Sequence, residues 1–188
     1  GLLEEQPDLE INITMDVEKS VLTVTDSGIG MSREEIIDQL GTIAHSGTAN
    51  FLEGLSGEAK KDSQLIGQFG VGFYSVFIVA ERVEVLSRRA GLPASEGVLW
   101  TSSGDGSYKI ETVDKPERGT VITLTLKPEE AEFLEAFRLE ALIRKYSDHI
   151  AFPVRLKSVG HEDDAGEPLN RAKALWARLR TEIEDEEY

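Results

Sequence analysis

Apolar and polar residues alternate along several short segments of this chain, which is the pattern of β-strands with one buried face. Turn residues separate these segments from one another, as in "GDG" and "KPERG". Seven segments are predicted strands: residues 9–15, 21–25, 82–89, 97–103, 107–113, 119–126 and 152–159.

Helical patterns occur in three other segments. Residues 32–41 predict a short helix that begins with a capping box formed by Ser32 and Glu35. Val71–Ala80 is apolar on nearly all sides and predicts a buried helix, and residues 129–150 predict one or two helices. Strands follow one another without strict alternation with helices. This order predicts an α+β fold, a two-layer α/β sandwich whose mixed, mostly antiparallel sheet carries helices on one face.

A long polar connection, residues 42–66, lies between two ordered parts of the pattern. Connections of this length in a compact domain are usually functional or disordered. We interpret this one as a mobile lid, the alternative being a plain surface loop. We expect residues 1–170 to form one domain, and the charged segment 171–188 to lead toward a further domain.

Composition excludes several classes of function. The 188 residues carry a net charge of −15, which argues against a nucleic-acid-binding protein. No run approaches the roughly 18 apolar residues of a membrane helix, so no membrane partner is expected. The absence of cysteine excludes disulfides and fits a cytoplasmic protein.

Two glycine clusters flank the predicted lid, "DSGIG" at 26–30 and "GQFGVG" at 67–72. Neither belongs to a Walker A loop, because the chain contains no Gly-Lys-Ser or Gly-Lys-Thr. Neither matches the Rossmann fingerprint, because the surrounding order is not βαβ. A pair of glycine clusters joined by a long connection is a stronger signal than either cluster alone.

The residue types in these clusters suit a nucleotide. Asp26 follows an apolar strand, so its carboxylate is expected to be partly buried, where it accepts a hydrogen bond from an amine such as that of adenine. Gly28 and Gly30 would let the main chain approach a flat ring. Free N–H groups at Gly70–Phe73, where the predicted helix begins, would hold phosphates. An aspartate that only caps its own turn is the open alternative for Asp26.

The segments "TDSGIGM", "LGTIAHSGT", "LIGQFGVGFYSVFIVAERV", "RGTVITL" and "KYSDHIAFPV" resemble the N-terminal ATP-binding domain of the Hsp90 family of molecular chaperones, in its bacterial (HtpG) branch. The resemblance covers nearly the whole chain. It implies the GHKL (Bergerat-type) ATP-binding fold, with an eight-stranded mixed sheet. DNA gyrase B, MutL and sensor histidine kinases share the glycine boxes of this wider superfamily.

The resemblance also implies a site for ATP or ADP, with the adenine amine on Asp26. Residues implied around the base, the sugar, the phosphates or the lid are Gly28, Ile29, Gly30, Met31, Gln39, Leu40, His45, Ser46, Gly47, Gly70, Val71, Gly72, Phe73 and Thr120. The family usually has Lys at the position of His45 and often Asn at that of Gln39. His45 carries at most part of a charge at neutral pH, so cationic help to the phosphates would be weaker.

In the family, a strand and a long helix precede the first strand seen here, and that helix supplies a water-activating glutamate and an asparagine that binds Mg²⁺. Residues 1–8 do not match it. We therefore expect an N-terminally truncated fold whose catalytic residues lie upstream of Gly1, and which binds nucleotide weakly at best and does not hydrolyse ATP. No metal ligand is expected within the chain.

For the intact protein, the resemblance implies a cytoplasmic, homodimeric stress-response chaperone. ATP binding and hydrolysis with Mg²⁺ would drive conformational cycling during the folding of client proteins. The alternative is that this piece is a nucleotide-free protein-interaction module of the same chaperone.

Overall fold

The computed structural model describes residues 8–41, 72–159 and 167–170. The described residues form one sheet of seven strands, in the order β5-β4-β3-β6-β2-β1-β7. The strands are β1 Ile11–Asp16, β2 Val21–Asp26, β3 Ala80–Arg88, β4 Gly97–Ser102, β5 Lys109–Val113, β6 Gly119–Leu126 and β7 Val154–Ser158. The pair β1 and β7 is parallel and all other pairs are antiparallel. The predicted mixed, mostly antiparallel sheet of an α+β fold is confirmed.

Helices lie between the strands. The α-helices are α1 Arg33–Leu40, α2 Val76–Val79 and α3 Ala136–Ser147, and the 3₁₀ helices are Gly72–Ser75, Ala94–Glu96 and Pro128–Leu134. The predicted capping box of α1 is present: the N–H of Ser32 donates to Glu35 Oε2 at 2.8 Å, and the Ser32 hydroxyl accepts the N–H of Glu35 at 3.3 Å. For residues 129–150, where one or two helices were predicted, the structure has two: the 3₁₀ helix Pro128–Leu134 and α3.

The prediction of one buried helix over Val71–Ala80 is wrong. The described part consists of the 3₁₀ helix and the four-residue α2, and the side chain of Ile78 is 69% exposed. Ala80 is already extended because it pairs with Leu126 of β6 as the first residue of β3. An all-apolar run therefore contains the end of a helix and the start of a strand.

Lys127, which follows β6, holds the end of α2. Its ammonium donates to the carbonyls of Phe77 and Ile78 at 3.0 and 2.8 Å, and its N–H donates to the carbonyl of Val79. The last carbonyls of a helix have no partner within it, so a cation at this end satisfies them.

Alternation along the strands divides the sheet into two faces. One face, called the core face below, packs against α1, α3 and the last 3₁₀ helix, and it carries the buried residues Met15, Leu22, Val83, Val85, Trp100, Leu124 and Leu126. Threonines at 14, 23 and 123 are direct partners on the opposite face. The helices therefore cover the apolar core face of the sheet, which gives two layers.

Two interpretations fall outside the described residues. These are the lid at 42–66 and the charged segment at 171–188. The described residues 167–170 lie against β7, since the N–H of Leu169 donates to the carbonyl of Val154.

Candidate functional site

Three polar residues interrupt the apolar core face where β2, β6 and β3 meet. Asp26 ends β2 and pairs with Thr120 of β6, and Thr120 pairs with Ser87 of β3. Ser87 is fully buried, and Thr120 is 7% exposed. Their hydroxyl oxygens lie 2.9 Å apart. These three residues, called the polar row below, occupy neighbouring positions on adjacent strands, and each side chain carries a hydrogen-bonding group.

The sequence analysis named Asp26 and Thr120 but missed Ser87. Ser87 accepts the N–H of Met31 at 2.9 Å, so it joins the first glycine cluster to β3 across 56 residues. The sequence pattern of β3 contained a signal for Ser87. Val83, Val85 and Ser87 alternate toward the core in the strand pattern, and a serine at a core position requires hydrogen-bond partners.

The carboxylate of Asp26 is held by its own turn. Its Oδ1 accepts the N–H of Gly28 at 2.8 Å, so the turn-capping alternative describes a contact that exists. Burial raises the pKa of Asp26, against the lowering effect of backbone N–H groups of Gly28 and Thr120 and of the charges of Lys115 and Arg118. The group is thus a partly desolvated carboxylate at the end of a strand, as the sequence pattern predicted.

Arg118 fixes the same turn from the other side. Its side chain is 7% exposed, and its Nη1 donates to the carbonyls of Ser27 and Gly28, the latter at 2.7 Å. A charged donor on two neighbouring carbonyls restrains the peptide groups that follow Asp26. The sequence analysis had assigned this arginine only to a turn.

Two further buried cations support this arrangement. Arg88 donates to the carbonyls of Lys115 and Pro116 at 2.7 and 2.6 Å and to that of Leu92, which ties residues 115–118 to the end of β3. Lys115 is 6% exposed, and burial lowers the pKa of its ammonium. Its charge favours the ionised form of Asp26.

Close chain packing explains two glycines of the site. Gly30 has φ +64°, and a Cβ there would lie 2.0 Å from the carbonyl oxygen of Arg88. Gly119 has φ +97°, and its Cβ would lie 2.3 Å from the carbonyl oxygen of Asp26. Only glycine fits such positions. The structure therefore gives Gly30 a packing role that the sequence analysis did not predict.

Gly72 differs from these two glycines. It is exposed, and a Cβ there would meet no atom of the described residues within 4 Å. Phe73 beside it packs edge-on against Trp100, with ring centroids 5.8 Å apart. The hydroxyl of Tyr74 donates to the carbonyl of Leu40 at 3.2 Å, which brings the end of α1 to the 3₁₀ helix Gly72–Ser75.

The remaining predicted site residues divide into two groups. Ile29 is 42% exposed while its carbonyl accepts the N–H of Ala90, and Gln39 is partly exposed near the end of α1. The following lie outside the described residues: His45, Ser46, Gly47, Gly70 and Val71.

Within ranges 8–41, 72–159 and 167–170, no helix is long and apolar enough to cross a membrane, and no group of three or more acids or histidines is placed to hold a metal.

Comparison with protein families identifies the fold and its class of activity. Residues 8–135 match the family described as histidine kinase-, DNA gyrase B- and HSP90-like ATPases. The match covers more than half of the chain and includes β1 to β6 with the whole polar row. The chain belongs to this family of ATPases, and the mixed sheet covered by helices on one face is the fold expected of it. Membership implies that the domain binds a nucleotide.

Proposed function

We propose that this chain is the ATP- and ADP-binding domain of an Hsp90-type molecular chaperone, and that the polar row binds the adenine base. The observation that carries the proposal is the position of Asp26, a partly desolvated carboxylate at a strand end beside Thr120, within a family of ATPases. Carboxylate oxygens only accept hydrogen bonds when ionised, and the adenine amine offers two N–H donors.

The contacts around Asp26 suit such a ligand. Its Oδ1 is engaged by the N–H of Gly28, which fixes the orientation of the carboxylate before any ligand arrives. Arg118 and Lys115 favour the ionised form. Prior orientation of a binding group reduces the entropy that binding would otherwise cost.

We propose that the phosphates lie at the second glycine cluster, near Gly70–Phe73. Packing among the described residues gives no reason for glycine at 72, in contrast to Gly30 and Gly119. An exposed glycine whose Cβ would meet no described atom fits the approach of an anion to the backbone in an acidic protein, where acids outnumber cations. His45, Ser46, Gly47 and Gln39 remain proposed neighbours of the sugar, the phosphates or the lid.

The described residues bring together no three acidic or histidine side chains that could hold a metal ion by themselves. The proposed domain spans residues 1–170, and the docking of 167–170 against β7 supports its C-terminal limit.

The wider role follows from the quoted chaperone-like segments and from the HSP90-like family match. In the protein to which this domain belongs, ATP binding and hydrolysis would drive conformational cycling for the folding of client proteins. A cytoplasmic location and a homodimer formed outside this domain are part of the same proposal.

Titration of the labelled chain with ADP, followed by protein-observed NMR, tests the nucleotide site. Saturable shifts are expected for amides at 26–31, 72–74, 87 and 119–120. Ribose 5-phosphate, which has no base, is the control and should leave 26–31 and 119–120 unchanged. Shifts scattered over other surfaces, or equal shifts with both compounds, would contradict a base site at the polar row.

A further inference from the structure

The hydroxyl of Ser87 has three hydrogen-bond contacts. The N–H of Met31 at 2.9 Å is a donor only, so Ser87 accepts from it. The carbonyl of Gly119 at 3.2 Å is an acceptor only, so Ser87 donates to it. The third partner is the Thr120 hydroxyl at 2.9 Å. All three contacts form at once only if Thr120 donates to the remaining lone pair, because a serine has one proton and two lone pairs.

This assignment uses the single hydroxyl proton of Thr120. Toward any other partner, the Thr120 oxygen then offers lone pairs only. Asp26 is the direct cross-strand partner of Thr120 on the same face, where such side chains have Cβ atoms about 4.5–5.5 Å apart. An ionised Asp26 also offers lone pairs only. This end of the polar row therefore presents two acceptors and no hydroxyl donor.

We infer that Ser87 is a positioning residue that makes the site select an amino group over an oxo group on the purine. The inference rests on the proposed binding of the base at the polar row. By holding the Thr120 proton, Ser87 leaves acceptors for the two N–H groups of a 6-amino purine. A 6-oxo purine brings a carbonyl oxygen to the same place, where it meets acceptors and loses its hydrogen bond.

The test compares the dissociation constants of ADP and inosine diphosphate, which carries an oxo group in place of the amine. Ser87→Ala frees the Thr120 hydroxyl to donate to that oxo group. The preference for ADP is expected to fall on the order of tenfold, mainly through tighter binding of inosine diphosphate. A general loss of packing would weaken the binding of both ligands equally and leave the ratio of their dissociation constants unchanged.

Ser102→Ala is the matched control. Ser102 is a buried serine on the same face, and its hydroxyl donates to the carbonyl of Ser107 at 2.6 Å, away from the polar row. Removing the Ser102 hydroxyl should leave the ratio of the dissociation constants of ADP and inosine diphosphate as it is in the unsubstituted chain.

A second substitution shows whether Ser87 acts through Thr120. Thr120→Val removes the hydroxyl at nearly constant shape, and Ser87→Ala added to it should cause no further change in the ratio. If Ser87→Ala does not fold, Thr120→Ser should keep the ratio of the two dissociation constants and Thr120→Val should lower the preference for ADP. An unchanged ratio in Ser87→Ala or in Thr120→Val, or additive effects in the double variant, would overturn the inference alone. Absence of ADP binding by the unsubstituted chain would overturn the proposed function as well.

Discussion

The Nη1 atom of Arg118 lies 2.7 Å from the carbonyl oxygen of Gly28, although 90 positions separate the two residues in the sequence. The same atom donates to the carbonyl of Ser27. Through this contact the segment before β6 holds the turn that follows β2. The conformation of the Asp26 turn is therefore set by a residue from a distant part of the chain.

Arg118→Met should destabilise the fold and weaken ADP binding together. Loss of hydrogen bonds from a charged donor to partly buried carbonyls costs about 1.5–3 kcal/mol, and urea unfolding measures this loss. Arg82→Met is the control, because Arg82 pairs with Glu84 on the surface and its side chain is 54% exposed. That change should stay within about 0.5 kcal/mol. Equal losses in the two variants would contradict a role for Arg118 in holding the turn.

Gly30→Ala should destabilise far more than Gly106→Ala. Both glycines have positive φ, +64° and +88°, so alanine brings backbone strain of about 1–2 kcal/mol at either position. At Gly106 the added Cβ meets nothing within 4 Å, whereas at Gly30 it meets the carbonyl of Arg88 at 2.0 Å. The difference between the two midpoints of urea unfolding measures the packing contribution. Similar midpoints would show that close approach to β3 does not require glycine at 30.

As the pH is lowered, adenosine binding should begin to weaken at a higher pH than it would if Asp26 had the usual pKa of an aspartate. Burial raises the pKa of Asp26 above its usual value of 3.8. The ionised form accepts hydrogen bonds at both oxygens, whereas protonation turns one oxygen into a donor. The affinity should be constant at pH well above the raised pKa and fall as pH decreases through it. Adenosine is the probe because it has no phosphate to titrate. A profile that is flat down to pH 3.8 would contradict this role.

Asp26→Asn should leave the thermal stability at neutral pH unchanged or higher. A raised pKa in the folded state means that Asp26 contributes stability below its unfolded pKa and loses that contribution as pH rises through the folded pKa. The ionised carboxylate therefore costs stability at neutral pH, as functional groups often do. The melting temperatures of the unsubstituted chain and of Asp26→Asn should converge as the pH is lowered. A variant that is less stable at pH 7 would show that favourable contacts of the carboxylate outweigh its desolvation.

Asn170→Ala should loosen the connection between α3 and β7. Asn170 is 4% exposed, its Oδ1 accepts the N–H of Val154, and its Nδ2 donates to the carbonyls of Ile150 and Phe152 at 2.9 Å. We expect a loss of about 1–3 kcal/mol and faster hydrogen exchange of the Val154 amide. Asn12→Ala is the control, because Asn12 donates to the side chain of Glu10 instead of to the backbone. Unchanged exchange in Asn170→Ala would show that the Asn170 side chain does not hold the start of β7 in place.

Much of the fold was predictable from local patterns. The predicted strand 119–126 coincides with Gly119–Leu126, and the capping box located the start of α1, because alternation and capping depend on neighbouring residues. The run 71–80 was wrongly predicted as one buried helix. Its apolar composition suits a helix and a strand equally, and the pairing of Ala80 with β6 decides between them.

The site was predictable only in part. Asp26 and Thr120 were named from the glycine cluster and the family resemblance, and the register of β2 and β6 makes them neighbours. Ser87 and Arg118 were missed because their contacts span 56 and 90 residues of sequence. Hydrogen bonds of this kind depend on strand order, which local patterns do not contain.

Calorimetric titration of ADP into the chain and into Asp26→Asn tests the central claim most directly. Asp105→Asn is the matched control, since Asp105 also accepts the N–H two residues later in its turn, that of Ser107, at an exposed position. We predict that Asp26→Asn weakens ADP binding about ten- to a hundredfold, the value of a hydrogen bond to a charged group, and that Asp105→Asn leaves it unchanged. Equal ADP affinity in Asp26→Asn and the unsubstituted chain would contradict the assignment of the adenine site.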